Sequence, residues 1–329
     1  MKQNRTMLLV VHTGRPEGVK AARAVAQRLG AAGVTVRVLK SESDEICCPD
    51  AVEMSFSPQA AEGAEMVLVI GGDGTLLRAA EIARPARTPL FGVNLGHVGF
   101  LAETEPEVLS DAVDRILAGA YLVESRMTID VTVRQNSHIA VTTWALNEAS
   151  VEKAARERMV DLVTEIDGRP LSRWGCDGLV FATPTGSTAY AFSAGGPVVW
   201  PDVEALLLVP ISAHALFARP MVVSPESVLA AEVIGTSGGQ DAVSGAVLWC
   251  DGRRMVELPP RARVEVRRGS QPVLLARLRG TASGPDIGAS FTDRLVAKFA
   301  LPVAGWRGMA EARQEAAARM RDEEAADDA

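Results

Sequence analysis

Cysteine is scarce in this chain, and so are aromatic side chains. Its 329 residues include four cysteines (Cys47, Cys48, Cys176 and Cys250), two tyrosines and five tryptophans. Two of the cysteines are adjacent and no pair has C-x-x-C spacing, so neither a disulfide framework nor a zinc site is expected, and a reducing cytoplasm is the expected compartment. Long apolar runs are also missing. The N-terminal "MKQNRTMLLVVHTG" holds five consecutive apolar residues, fewer than a signal peptide needs, and no stretch approaches the ~20 of a membrane span. There is no surplus of positive charge either. The formal net charge is −7, of which residues 311–329 carry −4, and neither nucleic acid nor an anionic membrane is expected as a partner. No Ser–His–Asp spacing, HExxH or EF-hand loop occurs.

What is present is an ordinary globular composition, 47% hydrophobic and 23% charged, in a chain long enough for two domains. "MLLVV" (7–11), "VTVRVL" (34–39), "MVLVI" (66–70) and "PLFGVN" (89–94) read as strands. Helical spacing separates them: Val19, Ala22, Val25, Ala26 and Leu29, then Thr75–Arg84 ending before Pro85, then 106–119. Residues 41–63 read as irregular. Alternating strands and helices, with strands apolar on both faces, predict an α/β domain with a parallel, Rossmann-like sheet over 1–124. From 125 to 290 the pattern is apolar–polar alternation with turn signals at Asp167–Gly168 and Asp251–Gly252, which predicts a mainly antiparallel domain. "ARVEVRRGSQPVLLARL" reads as a strand pair. Residues 291–309 return to helical spacing and are expected to pack on the first domain. Residues 310–329 are an acidic tail almost without bulky apolar residues, expected to be solvated.

"VLVIGGDGTLLRAA" (67–80) carries the chemical question. Glycines between a strand and a helix let backbone N–H groups approach an anion, yet Asp73 at the centre would repel a phosphate. One reading is a flexible turn with Asp73 or Thr75 as helix N-cap. The other gives Asp73 work beside phosphates: holding Mg²⁺, or taking the proton of a hydroxyl that attacks a phosphoryl group. The loop is neither a Walker A motif, lacking GK[ST], nor GxGxxG, since Leu77 replaces the third glycine. With no lysine or arginine inside GGDGT, Mg²⁺ is expected to do much of the charge neutralisation, arriving with a phosphate substrate.

Three further stretches could read a ligand. "GVNLGHVGF" (92–100) should emerge at the same sheet edge, where His97 touches a phosphate or is a surface-loop histidine. "WALNEASVEK" (144–153) offers Asn147 and Glu148, either as a buried and an exposed strand residue or as a polar pair at a strand end. "DGLVFATPTGSTAYAFSAGG" (177–196) is rich in hydroxyls. Ser187 or Thr188 could cap a helix running to Ser193, or the hydroxyls and Tyr190 could accommodate a nucleoside. In "PISAHALFARPMVVSP" (210–225), His214 and Arg219 stand among apolar residues and prolines, and His214 reads as a core or interface histidine.

Together these segments resemble the NAD kinase family, of bacterial, actinobacterial type. The resemblance runs from "LLVVHTGR" to "FTDRLVAKFALPVAGWRG" and rests on GGDGT (71–75), NLGHVGF (94–100), LNE (146–148) and DGLVFATPTGSTAYAFSAGGP (177–197). It implies a β-sandwich-like C-terminal domain and a final helix returning to the first. It implies phosphoryl transfer from ATP or polyphosphate, with Mg²⁺ or another divalent cation, to the 2′-hydroxyl of the adenosine ribose of NAD. Asp73 would be the base. Gly71, Gly72, Gly74 and Thr75 would line the donor phosphates. NAD would meet Asp73, Gly74 and Phe100, with Asn147 facing adenine and Glu148 the ribose side. Thr185, Thr188, Ala189 and Tyr190 would complete that pocket, and Asp177, Ser193 and His214 would lie near the nicotinamide end, at a subunit interface of a homodimer or homotetramer. Gly175 favours NAD over NADH. The loop 237–245 and the acidic tail lie outside this pattern, and Ala149 replaces a larger aliphatic residue. The competing readings are another GGDGT kinase acting on a lipid, disfavoured by the −7 charge, and a non-catalytic NAD(P)-binding regulator, disfavoured by intact Asp73 and Glu148.

Overall fold

The computed structural model describes residues 5–94, 99–101, 109–155, 158–234, 245–278 and 291–301. The N-terminal part runs β1 (Thr6–Val11), α1 (Pro16–Ala31), β2 (Thr35–Leu39), α2 (Lys40–Ile46), β3 (Val52–Met54), α3 (Pro58–Ala61), β4 (Met66–Ile70), α4 (Asp73–Ala86), β5 (Leu90–Val93), α5 (Leu109–Leu117) and β6 (Tyr121–Arg126). Strands β3-β2-β1-β4-β5 are parallel neighbours. The two-residue period of a strand sorts their side chains onto two helical layers. Met7, Leu9 and Val11 join Met66, Leu68 and Ile70 beneath α1 and α5. Leu8 and Val10 join Val67 and Val69 beneath α3 and α4. Burial on both faces explains why these strands read as unbroken apolar runs.

The C-terminal part runs β7 (Ile129–Gln135), β8 (His138–Ala145), β9 (Glu148–Lys153), β10 (Val160–Ile166), β11 (Arg169–Cys176), β12 (Gly178–Ala182), α6 (Tyr190–Ser193), β13 (Leu206–Ile211), β14 (Met221–Val223), β15 (Leu229–Ile234), β16 (Ala246–Cys250), β17 (Arg254–Leu258), β18 (Arg263–Arg268), β19 (Val273–Leu278) and α7 (Phe291–Phe299). Two six-stranded sheets, β11-β10-β15-β18-β7-β8 and β14-β13-β12-β9-β16-β17, bury their inner faces in one core that includes Val131, Leu162, Trp174, Phe181, Leu248 and Val264. The two Asp–Gly turns form as expected: Asp167 and Gly168 have φ of 54° and 73°, Asp251 and Gly252 54° and 62°. Two consecutive positive φ values match the twist of the flanking strands.

Several expectations need correction. Residues 41–63 are largely structured, contributing most of α2 and all of β3 and α3. These elements are too short for periodicity to register and are held by burial of Glu42, Ile46, Ala60 and Ala61. Helix α4 starts at Asp73 and contains Pro85. Pro85 gives up one i→i−4 hydrogen bond in the last turn, and the helix ends directly after it at Ala86, with Arg87 as a left-handed C-cap at φ 55°. Its N-cap is Gly72, with no side-chain cap, so neither Asp73 nor Thr75 caps it. No single helix runs from 187 to 193 either. A 3-10 turn (Thr185–Thr188) breaks at Ala189 before α6, and Ser187 Oγ donates to Val199 O at 3.1 Å instead of capping. Finally, β18 and β19 do not pair. β18 lies between β15 and β7, whereas β19 enters the first sheet, parallel to β5 and antiparallel to β6. Val273, Leu275, Ala276 and Leu278 are all buried, which a half-solvated strand could not achieve.

Candidate active site

In the first sheet, β1 has β2 on one side and β4 on the other. The chain order therefore reverses between β1 and β4, and the loops leaving their carboxyl ends diverge into a crevice, the usual ligand position in such sheets. A cavity of about 640 Å³ lies there, walled by Val11–Arg15 after β1 and Gly71–Thr75 after β4. Close approach explains the glycines. A Cβ on Gly71 would stand 2.5 Å from Thr75 Oγ1, and one on Gly99 would stand 2.4 Å from Asp73 Oδ1. Asp73, at the first turn of α4, accepts N–H groups of Phe100 (3.1 Å) and Leu101 (3.2 Å). His97 lies outside the described residues.

The cavity wall also contains Arg15, Arg78, Arg253 and Lys298. Sequence reasoning missed these cations because they come from four separate places: the β1–α1 loop, α4, the β16–β17 turn and α7. The expectation that Mg²⁺ does much of the charge neutralisation took no account of these four cations on the cavity wall. Arg78 donates to Val11 O (2.9 Å) and to the buried Glu42 carboxylate, which also accepts Val11 N–H at 2.8 Å. Burial raises the Glu42 pKa while Arg78 opposes it. Arg253 bridges to Glu81 at 2.8 Å, fixing the β-rich half against α4.

Asn147 and Glu148 occupy the corner between β8 and β9. Thr183 Oγ1 donates to Leu146 O at 2.6 Å, and Thr183 N–H to Asn147 O at 2.9 Å. Gly186 packs so tightly here that a Cβ would sit 2.0 Å from Asn147 O. Asp251 accepts N–H groups of Leu146 (3.0 Å) and Asn147 (2.7 Å) and pairs with Arg254 at 2.6 Å. The sequence offered Asp251 only as a turn former. Trp144, just before the corner, is sandwiched between the guanidinium groups of Arg84 and Arg254, at 4.4 and 4.5 Å, a pair of cation–π contacts joining α4 to the sandwich.

Two polar features distinguish this corner. Asn147 Oδ1 is buried without a hydrogen-bond partner, which is costly unless something donates to it. Glu148 is 7% exposed and its pKa is pushed up to about 8, first by burial and then by the Asp251 charge. Burial raises Asp251 as well, but its two amide donors and Arg254 favour the ionised form. Glu148 has one amide, Tyr190 N–H at 3.3 Å, and so holds the proton of the pair.

The expected residues thus fall into groups. Gly71, Gly72, Asp73, Gly74 and Thr75 share the cavity. Asn147, Glu148 and Tyr190 meet at the corner, with Thr188 Oγ1 bonded to Thr185 O (3.3 Å) and Ser193 N–H directed to Ala189 O (3.4 Å). Phe100 links the cavity loop to α7. Asp177 is engaged by Lys153 at 2.5 Å, which lowers its pKa, and His214 bonds through its backbone to Gly175 O at 2.9 Å. Neither lines the cavity. Among the described residues, no group of three His, Cys, Asp or Glu converges on a metal position, and no helix is long and apolar enough to cross a membrane.

Two family models match the chain: the ATP-NAD kinase N-terminal domain over residues 7–121 and the ATP-NAD kinase C-terminal domain over residues 146–278. NAD kinase 2 of Streptomyces coelicolor is 59% identical over 312 residues, covering 94% of this chain and 99% of that protein. NAD kinase of Thermobifida fusca is 59% identical over 319 residues, covering 94% of each. Among solved structures, yeast NADH kinase complexed with NADH superposes with a TM-score of 0.81 at 20% identity, over 93% of this chain and 90% of that one. The NAD kinase of Archaeoglobus fulgidus in complex with ATP gives 0.60 at 25% identity, over 83% and 93%. The chain belongs to the NAD kinase family, and it is a phosphotransferase that converts NAD to NADP.

Proposed function

We propose that the switch-point cavity holds the donor phosphates and that Asp73 serves as the base for the 2′-hydroxyl of the adenosine ribose of NAD. The observation that carries this reading is the position of the Asp73 carboxylate on a cavity wall that also bears Gly14, Gly71, Gly72, Gly74 and Gly99 and the cations Arg15, Arg78, Arg253 and Lys298. The ribose oxygen attacks the terminal phosphorus of ATP, or of polyphosphate. The new O–P bond forms as the bond to the bridging oxygen breaks, the shortened donor leaves, and the hydroxyl proton passes to Asp73. A secondary hydroxyl is too weak an acid to ionise beforehand, so the proton moves in the transition state, which is worth ~10²–10⁴-fold. Alignment by the amides of Gly71–Thr75 and charge from Arg15, Arg78, Arg253 and Lys298 supply the larger part.

The donor set fits Mg²⁺ entering with the donor. The Thr75 hydroxyl on the same wall is a hard oxygen donor that would hold the ion together with the donor phosphates, leaving the Asp73 carboxylate for the proton. When bound there, the ion would offset charge on the transferring group. On the acceptor side, the unpartnered Asn147 Oδ1 suits an adenine amino hydrogen, with Glu148 on the ribose side. Gly74, Phe100, Thr185, Thr188, Ala189 and Tyr190 complete the pocket. Asp177, Ser193 and His214 belong to the nicotinamide end. Exposed Leu216 and Phe217 beside His214 support its lying at the interface of a homodimer or homotetramer. We divide the chain at 124/125 and 290/291, with β19 lent to the first unit, and place the enzyme in the cytoplasm, where unpaired cysteines are ordinary.

The test is NADP formation with Mg²⁺ and ATP or polyphosphate, comparing wild type with Asp73→Asn. A folded variant slowed ~10²-fold or more supports the base. Equal activity removes Asp73 from that role.

A further inference from the structure

The carboxylate of Asp73 does not float in the cavity. Its Oδ1 accepts the N–H of Leu101 and its Oδ2 that of Phe100. The Leu101 N–H belongs to the same peptide group as the Phe100 carbonyl, and that carbonyl accepts a hydrogen bond from Arg294 Nη1 of α7 at 2.7 Å. A peptide group is planar, so fixing its oxygen fixes the direction of its N–H. Arg294 and Asp73 therefore face each other across one rigid unit, with a cation at the oxygen end and the base at the nitrogen end. The bond from Arg294 is charge-assisted, and it polarises the peptide so that its N–H becomes a better donor to the carboxylate.

Two observations set this contact apart from a generic helix anchor. Arg294 is 5% exposed, so its placement against a backbone oxygen carries a desolvation cost that an exposed contact would avoid. The same helix also holds Phe100 by its ring, between Phe291 and Phe299 at centroid separations of 5.9 and 6.0 Å. The guanidinium adds control over the orientation of the one peptide that reaches Asp73.

We propose that Arg294 is a positioning residue for phosphoryl transfer, holding the Phe100–Leu101 peptide so that Asp73 presents its carboxylate to the acceptor hydroxyl. This rests on the reading of Asp73 as the base. Arg294 does not line the cavity. Its loss lowers kcat, since small misplacement of a reacting group is expensive, and leaves NAD affinity largely intact.

The test uses the full-length enzyme and three variants, Arg294→Met, Arg294→Lys and Arg294→Gln, with kcat, KM for ATP and calorimetric Kd for NAD measured for each. The expected result is kcat lowered about 10- to 100-fold in R294M, with Kd for NAD within about threefold of wild type, and kcat largely restored in R294K, which keeps a cationic donor. If R294M does not fold, R294K and R294Q decide: R294Q slower than R294K at equal Kd supports the proposal, and equal kcat in the two overturns it. A kcat within twofold of wild type in folded R294M also overturns it. So does a loss shared equally between kcat and NAD affinity, which marks simple undocking of α7. Asp73→Asn measured alongside separates the two readings. If it is inactive while R294M is normal, only this proposal fails; if it is fully active, the base assignment fails first.

Discussion

Asp251 Oδ1 accepts the N–H of Asn147 at 2.7 Å, and a carboxylate in a hairpin turn thereby sets the corner that carries Asn147 and Glu148. Its other bonds go to Leu146 N–H and to Arg254, which in turn stacks on Trp144. Asp251→Asn keeps the shape but removes the charge from a buried pair. Breaking such a pair costs about 3–5 kcal/mol, because the partner is left uncompensated. We predict a loss of that order in urea unfolding and a KM for NAD raised about tenfold as the Asn147 backbone loosens. A KM unchanged in a destabilised variant would confine Asp251 to folding.

Gly99 offers a sharper separation of catalysis from stability. The Cβ of an alanine there would meet the Asp73 carboxylate at 2.4 Å, and the side chain must move. We predict that Gly99→Ala folds, binds NAD and loses roughly 10²-fold in kcat. Circular dichroism and calorimetry check the first two points and steady-state kinetics the third. Full activity would mean that the carboxylate is free to take another rotamer at no cost.

Glu148 gives a pH test with a definite sign. Its folded-state pKa is about 8, against an ordinary value of 4.5. Between those values the folded chain binds a proton that the unfolded chain has released, so stability falls as pH rises through this window; below 4.5 both states are protonated and the contribution is fully present. Glu148→Gln removes the dependence. The melting temperature of E148Q should therefore gain on wild type between pH 5 and pH 8, by roughly several degrees. A constant difference across that range would place an ionised Glu148 in the folded protein at neutral pH.

The parallel strands, the α1 and α5 faces, the two Asp–Gly hairpins and the sandwich pattern were legible because each depends on residues a few positions apart. The GGDGT loop and the hydroxyl-rich turn were legible too, and their glycines Gly71 and Gly186 answer close contacts at Thr75 and Asn147. Where reading failed, the competing force was tertiary. Residues 41–63 hold short elements that exist because neighbours bury them, and the helix expected after Thr185 breaks because Ser187 is drawn to Val199. β19 leaves its apparent hairpin partner because only the first sheet covers both of its faces.

The local chemistry, namely which loop is rich in glycine and which carboxylate stands in it, was determined by the sequence itself, since glycine geometry and helix starts act within one turn of chain. The company that carboxylate keeps was decided only by the fold. Arg294 reaches Phe100 across 194 residues, and Asp251 reaches Leu146 across 105. No periodicity encodes such meetings. They follow from the packing of separate layers, which places charges from distant segments within hydrogen-bonding distance of the same few atoms.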